Sequence, residues 1–107
     1  MMGACAIGLM TSIALPPLKY DVPYRGKLYV IEMPVEQIED QCCGGHFDES
    51  APHRRILACS IPLPGKCIVY LPKVEDDGVS KPQQDLFRRH EVGHCNGWSS
   101  QHEGATR

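Results

Sequence analysis

The segment His90-Glu91-Val92-Gly93-His94 constrains this chain more than any other feature. Two histidines four residues apart converge in an α-helix, where positions i and i+4 differ by only about 40° around the axis. The flanking residues supply the helix. Ser80 is a plausible N-cap, Pro82 lies in the first turn, and Gln83 stands three after Ser80 as in a capping box. Leu86, His90, Gly93 and His94 recur on one face, and Gly97 follows as the stop residue. Both imidazoles then project to one side, one turn apart, where they can hold a single zinc ion. Glu91 is offset from His90 by about 100°. From there it reaches a water on the metal without being a ligand, which is the place of a general base. Five His and seven Glu residues occur in the chain. At those frequencies, chance supplies about 0.015 such patterns.

The stretch from His90 to Trp98 resembles the zincin metallopeptidases, and its HExxHxxG form is similar to the metzincin opening. In metzincins the glycine turns the chain toward a third ligand three residues further on. Here that position is Ser100, a poor ligand, and His102 lies two residues beyond it. The pattern is closer to small bacterial HExxH proteins with Gly-Trp after the motif and a further His. The resemblance implies a Zn2+ site of His90, His94 and His102 with Glu91 as catalytic base. Catalytic zinc keeps three protein ligands and one open position. Glu103 is the fallback for the third ligand, while His46 and His53 read as solvated loop residues. The resemblance also implies a sheet over the motif helix whose edge strand binds extended peptide. Cys67 to Leu71, the last strand before the helix, is the candidate edge strand. A helix near residues 34–42 would pack beside the motif helix. Trp98 is expected to pack under the turn, and Tyr70 is given no role.

The rest of the chain reads as a small α+β domain. Lys27 to Met33 is rich in β-formers. Pro34 and Glu36 then open the short helix over 34–42, which Gly44-Gly45 stops. Residues 55–61 and 67–72 read as an antiparallel hairpin around Pro62–Lys66. The expected core is therefore an antiparallel or mixed sheet of about three strands, a backing helix and a C-terminal zinc-binding helix. Nine prolines and ten glycines argue against an all-helical bundle. Eleven basic against 13 acidic residues disfavour nucleic acid as a partner.

Residues 4–15 are almost entirely apolar and uncharged, and Ser12-Ile13-Ala14 looks like a signal-peptidase site, although no Lys or Arg precedes Lys19. Residues 1–14 are read as a signal-like segment and 15–107 as one zincin-like domain. The run is too short for a stable membrane span. Export would place the protein in the periplasm or outside the cell. Without a signal, it would be cytoplasmic. In an oxidising compartment the cysteines would form disulfides worth about 2–4 kcal/mol each. Cys59 and Cys67 flank the hairpin turn and could face each other across it. Cys42 or Cys43 could bond a hairpin cysteine, and Cys95 could join Cys42 or Cys43. Spacing does not choose among these pairings.

The function expected is zinc-dependent hydrolysis of a peptide or protein. The alternative is a non-catalytic, zinc-stabilised binding or regulatory module. Glu91 favours the enzyme, since a structural site has no water to activate. The ten residues after Gly97 leave little for the lower half of a cleft, which an oligomer or protein partner would have to complete.

Overall fold

A computed structural model describes residues 5–7, 14–43, 56–75, 78–99 and 101–105. Its elements run β1 (Cys5–Ile7), β2 (Lys27–Met33), α1 (Val35–Cys43), β3 (Ile56–Leu63), β4 (Lys66–Pro72) and α2 (Lys81–Cys95). The fold is α+β, with a mixed sheet in the order β1-β3-β4-β2. The three expected strands are joined by β1, which lies inside the signal-like segment and pairs antiparallel with β3.

The hairpin forms because its turn chemistry is local. Leu63 pairs with Lys66, leaving only Pro64-Gly65 between the strands. Gly65 has φ +72, and proline followed by a glycine at positive φ is the type II turn pattern. The strands reach two residues further into the turn than the prolines suggest. Pro62 is tolerated inside β3 because β1 pairs only with the stretch from Ile56 to Cys59, so that end of β3 is an edge.

β2 pairs parallel with β4 along all seven residues, from Lys27↔Lys66 to Met33↔Pro72. This corrects the expectation for Cys67 to Leu71. That strand is interior, flanked by β3 and β2, and offers no free edge to a peptide. β2 is the edge strand on this side.

Side-chain alternation divides the core between the two faces of the sheet. Cys67, Val69 and Leu71 are buried together with Ala58, Phe87 and Cys95, beneath α2. On the other face Cys59 stands opposite Tyr70, and both pack with Ile38 and Cys42 of α1. The short helix therefore covers the opposite face of the sheet and does not pack beside α2, as the zincin resemblance implied. β2 can run parallel to β4 because β3, which comes between them in sequence, runs antiparallel and returns the chain to the end of the sheet where β2 began.

Among the described residues two disulfides fasten these layers. Cys42–Cys59 ties the end of α1 to β3, and Cys67–Cys95 ties the end of α2 to β4. The first is a helix-to-hairpin bond of the kind the spacing left open. The second joins partners that spacing did not suggest. Cys59 and Cys67 do not bond across the turn, because Cys59 is in register with Tyr70 and points to the other face.

α2 starts as its sequence requires. The Ser80 side chain accepts from the Gln83 amide at 3.2 Å, and the Gln83 side chain accepts from the Ser80 amide at 2.8 Å. Gln84 Nε2 donates to the Pro72 carbonyl at 2.8 Å, seating the first turn on the end of β4. Replacing Ser80 by Ala should lower stability by about 1 kcal/mol, a typical cost of a lost N-cap. Denaturant unfolding should show a shifted midpoint with an unchanged slope.

Candidate metal centre

The three histidines meet at the C-terminal end of α2. The His94 and His90 Nε2 atoms lie 3.2 Å apart, His94 and His102 3.1 Å, and His102 and His90 3.1 Å. His90 and His94 are buried and His102 partly buried.

The other ring nitrogens explain what this triangle is. His90 Nδ1 lies 2.7 Å from the Ala14 carbonyl oxygen, and His94 Nδ1 lies 2.9 Å from that of Trp98. A carbonyl only accepts, so each Nδ1 carries the proton and each Nε2 of the neutral ring is a bare lone pair. Burial keeps the rings neutral. It pulls His90 down to about 4, with the Ala14 carbonyl opposing the shift and His94 and His102 adding to it. Burial likewise lowers His94 and His102. Bare nitrogens facing one another repel unless a cation lies among them. Tetrahedral coordination at a zinc–nitrogen distance near 2.05 Å separates the ligand atoms by about 3.3 Å. The observed triangle is within a few tenths of an ångström of that. The three residues can therefore hold one metal ion with a fourth position open.

The local sequence builds this geometry. The Gly97 amide donates to the His94 carbonyl at 3.0 Å, and the Trp98 amide donates to Gly93 at 3.0 Å. These are the paired bonds of a Schellman cap, and Gly97 has the positive φ, +106, that such a cap demands. The chain reverses there and sends Trp98 back over the helix end. The Trp98 indole stacks on His94, with ring centroids 4.8 Å apart and planes 16° apart. Its Nε1 donates to the Glu103 carbonyl at 2.8 Å, closing the loop that presents His102. Trp98 thus packs as expected, but it also orients a ligand through its carbonyl and holds the loop through its ring nitrogen.

His102 has φ +60, a left-handed conformation uncommon for a residue with a β-carbon. Histidine is among the residues that adopt this region most readily, and here its Nε2 stands 3.1 Å from those of His90 and His94. Glu103, the fallback, is exposed and contributes its backbone carbonyl to Trp98. His46, His53 and Ser100 lie outside the described residues.

Ala14 and Pro16 are site residues that the motif could not reveal. Pro16 is buried against Gly93, where an added β-carbon would lie 2.6 Å from the Pro16 ring. Glycine at 93 therefore lets the extended lead-in lie on α2 and bring the Ala14 carbonyl to His90. The signal for Ala14 was absent because a backbone acceptor leaves no trace in residue type.

Glu91 is fully buried between α2 and the sheet. Among the described residues neither carboxylate oxygen meets a partner in good hydrogen-bond geometry, and the same holds for Ser60 Oγ on β3, the polar side chain close enough to oppose the shift in Glu91. Burial drives the Glu91 carboxyl well above its usual range. Its oxygens are not among the atoms that converge with the histidine nitrogens.

Comparison with protein-family profiles, with curated protein sequences and with solved structures gave no match.

Replacing His102 by Ala should abolish stoichiometric metal binding, weakening affinity beyond the 10–100-fold typical of losing an outer-sphere partner. His102→Gly should lose metal equally while relieving the left-handed backbone. Titration with zinc, read by calorimetry, and thermal unfolding of the metal-free forms separate the ligand role from the structural one.

Proposed function

We propose that the protein is a zinc-dependent hydrolase acting on peptides or proteins, with His90, His94 and His102 as metal ligands and Glu91 as general base. The observation that carries this reading is the convergence of three imidazole Nε2 atoms on one point, two of them left bare by the Ala14 and Trp98 carbonyls, with a carboxyl group next in sequence to the first. Zinc in such a site lowers the pKa of a coordinated water toward neutrality and polarises a carbonyl. The Ala14 and Trp98 carbonyls fix the tautomers of His90 and His94, leaving both Nε2 atoms free to coordinate. In this reading Glu91 would accept the proton from water and return it to the leaving amine. Substrate recognition would draw on an oligomer or a protein partner that completes the cleft.

The disulfides Cys42–Cys59 and Cys67–Cys95 fit an oxidising compartment, so we read the protein as periplasmic or secreted. Among the described residues no helix is long and apolar enough to cross a membrane. Removal of residues 1–14 would take away the Ala14 carbonyl and leave His90 Nδ1 to water.

One observation favours a second reading, a metal-stabilised binding or regulatory module. Glu91 is wholly buried, and a base that serves substrate must reach the water it deprotonates. Glu91→Gln distinguishes the two. The enzyme reading expects full zinc stoichiometry and a loss of chelator-sensitive peptide hydrolysis of about 100-fold or more. A wild-type protein that binds zinc tightly and cleaves no peptide in a diverse mixture supports the module.

A further inference from the structure

A cavity lies on the side of α2 away from the histidines. It holds about 370 Å³, within the usual range for small-molecule sites, and is lined in part by Val22, Tyr24, Leu28 and Val92. Arg88 and Val92 each stand about 160° around the helix from His90, so the cavity and the histidine triad occupy opposite sides of α2. Val22 is 44% exposed, leaving apolar surface open to water.

Two guanidinium groups and one carboxylate also line this cavity. Arg89 is committed to Asp21, with Nη2 2.5 Å from Oδ2 and Nε 3.4 Å from Oδ1. Those two charges cancel, and the pair fixes the lead-in segment over α2. Arg88 is different. It is exposed and makes no hydrogen bond or ion pair with any described residue. The cavity therefore combines apolar walls with one uncompensated guanidinium, whose planar fork suits bidentate pairing with a carboxylate.

We propose that this cavity binds a carboxylate carried on an apolar body. Arg88 pairs with the carboxylate, and Val22, Leu28 and Val92 cover the apolar part. The C-terminal residue of a peptide and a free fatty acid share this chemistry. The inference does not depend on the metal site, because no histidine lines the cavity.

The test titrates N-acetyl-leucine, N-acetyl-leucinamide and decanoate into the isotope-labelled full chain, followed by amide chemical shifts. It is run with one equivalent of zinc and again in chelator. The expected result is saturable binding of at least one acid, with shifts centred on residues 21–28 and 88–92 in both conditions. Binding of acetyl-leucine points to a peptide terminus, and binding of decanoate alone points to a fatty acid. If acetyl-leucine binds, its amide should bind at least fivefold more weakly, and Arg88→Gln should weaken whichever acid binds by a similar factor. Arg88 is exposed and has no hydrogen bond or ion pair with a described residue, so its replacement leaves the packing of α2 in place. The proposal is overturned if neither acid saturates, if Arg88→Gln binds the acid as well as wild type, if acetyl-leucine binds no better than its amide, or if the shifts centre on residues 90–102.

Discussion

Three imidazole nitrogens, two of them bare lone pairs, do not sit 3.1–3.2 Å apart unless the surrounding structure holds them there. Much of this small fold serves that constraint. Two carbonyls, from Ala14 and Trp98, hold protons on the far side of two rings and so leave the near side bare. The Schellman cap at Gly97 and the indole of Trp98 return the chain to deliver the third ring. Gly93 matters because it has no side chain, and this lets the Ala14–Pro16 segment rest on the helix.

The sheet supplies rigidity to the same end. α1 and α2 cover opposite faces, and each is bonded at its C-terminal end to the central hairpin. The Cys67–Cys95 bond is next in sequence to His94, so the turn that carries the ligand is anchored to β4 immediately beside it. A domain of this size buries a smaller share of its surface than a large one, so covalent ties add to what packing contributes at the helix end.

How much of this was legible depended on how local each signal is. The capping box at Ser80 and Gln83, the His–His spacing on α2 and the Pro-Gly hairpin turn all act within a few residues, and each forms as the sequence suggests. His102 was also legible, because only a short loop separates it from the helix end. The partners of Cys95 were not, since they depend on which face each strand turns toward the helix. The interior place of β4 was hidden for a related reason. Its neighbour β2 lies more than thirty residues earlier, and parallel pairing leaves no turn signature at either strand.

The sequence by itself determined a metal-competent helix. Helical periodicity and end caps depend only on neighbouring residues, so the two imidazoles had to share a side. The tertiary structure decided everything that turns a pair of histidines into a site. It chose the backbone carbonyl that sets the His90 tautomer, buried Glu91 against Ser60, and placed Arg88, unpaired among the described residues, at a partly apolar cavity on the opposite side of the helix. Those outcomes rest on contacts between distant segments, and a contact made by a backbone carbonyl or by the absence of a side chain has no spelling in the sequence.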